Sequence, residues 1–414
     1  MSQLLVEYPH SRNARCDNPL ARGADGVLRY GNLNPALTEL LDIQVHTFAA
    51  REAVVEIGGP RLTYRELWYS ASRIAGGLQE HGIGYGDRVA VRMPVGVRWV
   101  QAFLGALLSG AVPVLVHDRL PDALADKVIH DASADYILDG GGRAHGYRAA
   151  LPDAAAFIDD GASLGELALL CYTSPGSPVG PRGVELTNEN LLSAIRSVVG
   201  ALELPTAGLR NLVLLPLAHA SGCVDQLLPT FAVGGTVVLA PDPAAIAETL
   251  AAERIDMVAA TPRIFAGLLP ELAGLRMEGV RKVCSAGHRA ELAAVEPGAA
   301  DTVSDSLRAV FPAARQWSVW GATETSGIGL ARDDAAAPDA CDSLGFAFGG
   351  TELALFGPAA DTGRGELLCR GPNIAPRYWN DPQTTESRFT GSWFHTGNHV
   401  TIDPTGLVRR APVA

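Results

Sequence analysis

The sequence predicts an α/β protein with two parallel sheets, followed by a small all-β unit. Three observations predict it. From about residue 46, apolar runs of strand length alternate with runs at helical spacing. Near residue 340 the texture changes to short strands separated by Gly, Pro, Asp and Asn turns. Hydrophobic residues make up 47% of 414 residues, enough for more than one core.

The elements follow in chain order. Residues 1–45 are rich in Asn, Arg, Gly and Pro without a sustained period and are expected to be irregular. The α/β core is expected over 46–339. Within it Asp87 to Met93 alternates as a strand, and Val97 to Gly110 has apolar residues at helical spacing and stops on glycine. Ala111 to Val116 is a short apolar run, read as a buried parallel strand. Leu167 to Thr173 reads as a strand and Glu189 to Leu202 as a helix. Asn211 to Leu217, Thr236 to Ala240 and Met257 to Thr261 read as strands, with a helix over Ala244 to Glu253. Val280 to Ala286 and Gln316 to Trp320 are further strands, with a helix between them. There are too many units for one sheet, so two are expected. The stretch "DDAAAPD", Asp333 to Asp339, is the expected surface connection. Over 340–414, Glu352 to Phe356, Gly365 to Arg370 and Leu407 to Arg410 are short strands of a small barrel.

Composition excludes several classes of function. Lys plus Arg is 33 and Asp plus Glu is 45, a net charge of −12, so no basic face for nucleic acid is expected. The six cysteines include no C-x-x-C pair, which argues for buried thiols and against a zinc or redox site. The N-terminus lacks the basic and apolar regions of a signal peptide. The longest apolar runs, such as Phe103 to Val116, are too short and too broken to span a bilayer. A cytoplasmic protein without membrane or nucleic-acid partners is expected.

The stretch "YTSPGSPVGPRG", Tyr172 to Gly183, carries chemistry. It reads as a strand, a Gly/Ser/Thr loop and then a helix start, with one cation, Arg182. That is the arrangement in which N–H groups and hydroxyls converge on an anion. A Pro/Gly/Ser loop is also an ordinary connector.

"LPLAHASG" (Leu215 to Gly222), "WGATETSG" (Trp320 to Gly327), "GELLCRGPNIAPRYWNDPQTT" (Gly365 to Thr385) and "WFHTGN" (Trp393 to Asn398) follow in fixed order, after a long match over Leu62 to Val114. With the loop, they resemble the adenylate-forming superfamily: acyl-CoA synthetases, nonribosomal peptide adenylation domains and luciferases. The resemblance covers about residues 45–407. It implies two flavodoxin-like subdomains and a distorted β-barrel. It also implies attack of a carboxylic acid on the α-phosphate of ATP, with Mg²⁺, to give an acyl-adenylate. CoA or a carrier-protein phosphopantetheine is then the expected acceptor. Thr173, Ser174 and Ser177 would offer hydroxyls, and Gly176, Gly180 and Gly183 would let backbone approach the phosphates. Ala286 and Gly287 would flank adenine, Trp320 would stack on it and Gly321 would border it. Thr323 would bond the α-phosphate, and Glu324, with Thr173, would hold Mg²⁺. His219 would gate the reacting carboxylate. Each has a bland alternative: Trp320 and His219 as core, Glu324 as a helix-start carboxylate.

The sequence departs from the superfamily's pattern in four places. Its phosphate loop, roughly Y-T-S-G-T-T-G-x-P-K-G, is here one residue longer, with Pro175 and Pro178 removing donors. Arg182 replaces its lysine, a planar fork for a point charge. Its T-G-D is here Thr396-Gly397-Asn398, and a carboxamide satisfies fewer ribose donors than a carboxylate. Asn188 stands where histidine is frequent. The sequence stops at about the superfamily's hinge, with Arg409 and Arg410 slightly early for the hinge arginine, so the C-terminal lid domain and its lysine are expected to be absent or supplied by a separate partner. Two readings follow: a divergent AMP-forming acid ligase reduced to its large domain, or an ATP-independent acyltransferase or acyl-binding homologue.

Overall fold

The structure, a computed structural model, describes residues 4–8, 20–157, 161–174, 180–286, 299–334 and 343–411. Its first sheet has five strands in the order Gly183–Thr187, Leu167–Tyr172, Val112–Leu115, Arg88–Val91, Tyr136–Leu138. All neighbours are parallel except Gly183–Thr187, which runs antiparallel to Leu167–Tyr172. The helices Tyr64–Glu80 and Val97–Leu108 pack on each other and into the main core. Thr63 and Glu66 form a reciprocal cap at the first of them, which satisfies two otherwise orphaned donors.

The second sheet is parallel through Glu52–Glu56, Thr236–Leu239, Arg210–Val213, Met257–Ala260, Lys282–Ala286 and Arg315–Ala322. Its inner strands are near-continuous apolar runs because helices cover both faces. Gly327–Asp333 then pairs antiparallel to Arg315–Ala322 and passes the sheet on to Ser343–Ala347 and the β-rich unit. There Glu352–Gly357, Arg364–Arg370, Trp393–Ile402 and Val408–Arg410 form a curled antiparallel array. The second sheet and the β-rich unit are thus one hydrogen-bonded path.

Three expectations need correction. The segment 1–45 is not irregular throughout. Leu4–Tyr8 pairs with Glu352–Gly357, Leu20–Arg22 pairs with Leu28–Tyr30, and a helix begins at Leu37. The edge of the β-rich unit supplies the missing partner for Leu4–Tyr8, which a local reading of the sequence cannot see. Second, the phosphate loop does not run into a helix. The strand Gly183–Thr187 intervenes before the helix Asn188–Ala201 and runs antiparallel to Leu167–Tyr172. Third, Gly183 belongs to that strand, not to the loop. Of the expected connection Asp333 to Asp339, residues 335–339 lie outside the described residues.

The core is split into several clusters. The largest joins both α/β units, and a second fills the outer face of the second sheet. A third, around Leu330, Leu355, Leu367 and Phe394, fills the β-rich unit. Cys171, Cys223, Cys284 and Cys369 are free and buried, and burial pushes the thiols of Cys171, Cys284 and Cys369 up to about 12. Among the described residues no helix is long and apolar enough to cross a membrane.

One glycine is fixed by close approach. Gly327 has φ +94°, and a Cβ there would lie 2.0 Å from Asp225 Oδ1. Gly327→Ala is expected to cost about 2 kcal/mol or more, from left-handed strain and overpacking. Urea unfolding checks this, and a loss below about 0.5 kcal/mol would mean that the turn yields.

Candidate active site

The two ends of the hairpin expected to bind phosphate are stapled. Thr173 N donates to Arg182 O at 2.9 Å, and Arg182 N donates to Thr173 Oγ1 at 3.0 Å. Ser174 is exposed, and Gly180 takes φ +86°, a conformation that favours glycine. Gly176, Ser177, Pro175 and Pro178 lie outside the described residues. The Arg182 guanidinium faces Asp381 at 3.5 Å and lies 5.9 Å from the Tyr378 ring centre.

The second component is the tight turn Thr323–Thr325, between two antiparallel strands. It is over-determined by hydrogen bonds. Thr325 Oγ1 accepts from Ala322 N at 2.9 Å and donates to Gly327 O at 2.5 Å. Ser326 is left-handed, and its hydroxyl donates to Asn373 O at 2.7 Å. Asn373 Nδ2 donates to Thr325 O at 3.1 Å. From below, Asp225 Oδ1 accepts from Ile328 N at 2.9 Å. Burial pushes the Asp225 carboxyl well above the usual carboxylate range. Gly321 is needed here because a Cβ would overlap the Gly327 carbonyl. On this frame Thr323 is partly exposed and Glu324 is buried.

A segment that sequence reasoning did not single out residue by residue joins these parts. Residues 375–381 pass from the turn to the hairpin. Ala375 N donates to Glu324 O at 2.8 Å, and Trp379 N donates to Gly183 O at 2.8 Å. Arg377 pairs with buried Glu185 at 2.8 Å. Between them the Tyr378 hydroxyl donates to Glu324 Oε1 at 2.5 Å. The signal was present as "APRYWNDPQTT", but nothing local marks that tyrosine as the contact.

The third component is His219, which precedes the short helix Ala220–Gly222. It shares a cavity of about 240 Å³ with Thr173, His117, Arg119, Tyr172 and Leu115. The His117 and His219 rings lie 5.4 Å apart. Burial, and then the neighbouring His117, hold the His219 pKa down to about 4. His219 is therefore neutral at physiological pH and not a cation.

Residues 41–379 match the family described as AMP-binding enzyme. The chain is 30% identical over 376 residues to a feruloyl-CoA synthase of an Amycolatopsis species, which covers 85% of this chain and 73% of that protein. It is 27% identical to a long-chain-fatty-acid–CoA ligase of Mycobacterium tuberculosis, covering 84% and 72%. The chain belongs to the AMP-binding enzyme family. Its fold matches the O-succinylbenzoate coenzyme A synthetase of Bacillus subtilis, solved with ATP and magnesium, at TM-score 0.78 and 22% identity, covering 92% of this chain and 79% of that one. It also matches the N-terminal domain of a Mycobacterium tuberculosis protein, FACL13, at TM-score 0.77 and 23% identity, covering 92% and 100%.

Within this AMP-binding fold the remaining sites fall as follows. Ala286 ends a strand of the second sheet and is buried, and Gly287 lies outside the described residues. Trp320, expected to stack on adenine, is 4% exposed and belongs to the core cluster of the β-rich unit with Leu330, Leu344 and Leu353. Asn398 lies in a bend of Trp393–Ile402 where Gly397 takes φ +73°. Its Nδ2 donates to Thr396 O at 3.0 Å, which leaves Oδ1 as an acceptor. An aspartate could not make that bond. The residues fit a magnesium ion in one respect: Glu324 offers a single buried carboxylate beside the hairpin, and Mg²⁺ is commonly bound by one or two carboxylates plus phosphate oxygens. Thr173 Oγ1 is already engaged by Arg182 N. Among the described residues there is no cluster of three His, Cys, Asp or Glu.

The depressed pKa of His219 links stability to pH. The unfolded chain takes up the proton near pH 6.5 and the folded one only near 4. The contribution is complete above about pH 6.5 and is lost as pH falls towards 4, at most about 3 kcal/mol. His219→Gln is expected to flatten the fall in urea midpoint between pH 7.5 and 4.5, and an unchanged pH slope would contradict a neutral buried ring.

Proposed function

We propose that this protein activates a carboxylic acid by adenylation. The acid oxygen attacks the α-phosphorus of ATP, the bond to the bridging oxygen breaks, and pyrophosphate leaves with the electron pair. The observation that carries the reading is one chain of contacts. Thr173 shares a cavity with His219 and hydrogen-bonds Arg182, Arg182 lies over Tyr378, and Tyr378 holds Glu324.

Thr173, Arg182 and the loop bind the β- and γ-phosphates, and Thr323 bonds the α-phosphate as its charge develops. Glu324 holds the Mg²⁺ that neutralises charge on the phosphates. Fixed donors around the transferring group supply most of the rate enhancement. Neutral His219 borders the cavity by which an acid or a thiol approaches. The feruloyl-CoA synthase and the fatty-acid–CoA ligase among its relatives support an aryl or aliphatic acid and CoA as acceptor.

A second reading, acyl transfer from a ready-made thioester without ATP, is favoured by Trp320. The ring expected on adenine is committed to the core.

Acid-dependent exchange of pyrophosphate into ATP, run with a panel of aryl and fatty acids, tests the first reading. Exchange is expected with at least one acid, and acyl transfer from thioesters without any exchange would favour the second. Glu324→Gln is expected to reduce exchange about 100-fold or more, and an unaffected rate removes it from the site. Asn398→Asp is expected to lower the KM for ATP about tenfold while costing about 1 kcal/mol of stability. Steady-state kinetics and a thermal melt check both halves.

A further inference from the structure

We infer that Tyr378 is a positioning residue for the metal site: it fixes one oxygen of Glu324 so that the other is presented to a divalent cation on the nucleotide. The inference rests on the reading of Glu324 proposed above. Tyr378 Oη donates to Glu324 Oε1 at 2.5 Å, and no described residue hydrogen-bonds Oε2. Both side chains are buried, at 3% and 8% exposure, so water does not readily replace either partner.

The chemistry of the partner matters. A phenol donates one hydrogen bond and leaves the carboxylate anionic. An arginine or lysine in its place would neutralise that charge and compete with the metal. Outer partners of this kind orient a ligand and tune its basicity.

Tyr378 is itself held from several sides. Its N–H donates to Thr385 Oγ1 at 3.0 Å, it bridges to Val184 of the hairpin, and its ring lies 5.8 Å from that of Phe389. Arg388 follows in the same segment, with its guanidinium 5.5 Å from the Phe394 ring centre. That guanidinium is 3.3 Å from where a Cβ on Gly397 would sit. The phenol thus stands between the carboxylate of "WGATET" and the strand Gly183–Thr187. A tyrosine in this place makes the orientation of Glu324 depend on correct seating of the strand Gly183–Thr187.

The probe is Mn²⁺, followed by its electron paramagnetic resonance as it binds the full chain with a non-hydrolysable ATP analogue. Tyr378→Phe keeps the ring and its packing and removes the hydroxyl, and its melting curve reports that it is folded. It is expected to weaken Mn²⁺ binding about 10- to 100-fold, with analogue affinity in EDTA unchanged. Glu324→Gln is expected to lose more. If Glu324→Gln loses Mn²⁺ and Tyr378→Phe binds it as wild type does, the inference is overturned and the metal role of Glu324 stands. If neither variant changes Mn²⁺ affinity, the metal role of Glu324 fails and the inference falls with it.

Discussion

The candidate site hangs on a two-point grip on Glu324. Its carbonyl accepts from Ala375 N, and its carboxylate accepts from the Tyr378 hydroxyl. The residue is held by backbone and side chain at once, by a segment that is itself pinned to Gly183 and Glu185 of the hairpin. The first sheet, the second sheet and the β-rich unit each contribute one part. The hairpin belongs to the first, the Thr323–Thr325 turn to the second and residues 375–381 to the third. Without that grip the parts would be separate elements of a large fold. With it, they are joined by hydrogen bonds through residues 375–381.

Burial sets the charges around these parts. Desolvation keeps His219 neutral, and it raises the Asp225 carboxyl beneath the turn. Asp225 is tied to Ile328 N, so its work is to shape the turn, and Gly327 gives way for it sterically. Arg182, facing Asp381 at 3.5 Å, is a charge loosely held at the hairpin mouth. His219 lines a largely apolar cavity with Thr173, and Arg182 stands at the base of the same loop. That suits an acid entering on one side and phosphates on the other.

Much of this was legible in the sequence. The alternation of apolar strands and helices gave the two sheets, because parallel strands covered on both faces are continuous hydrophobic runs. The ordered motifs gave the family and put forward Glu324, Thr323, Thr173 and His219 as candidates. What escaped was long-range. Gly183–Thr187 is short and carries buried Glu185, whose partner Arg377 lies 192 residues away in the chain. Trp320 reads as a stacking ring within its motif, yet the strands that cover it come later in the chain. Tyr378 is one aromatic among several in its stretch, and only the crossing of three elements places its hydroxyl on a carboxylate. Asn398 looked like a lost charge, whereas its amide closes a local bend.

The central claim is that these parts still cradle a nucleotide with its metal despite the altered loop. Calorimetric titration of the purified protein with ATP, with and without Mg²⁺, tests it most directly. Micromolar binding that requires Mg²⁺ is the predicted result. No binding at millimolar ATP, with or without Mg²⁺, would contradict it and turn attention to thioester substrates.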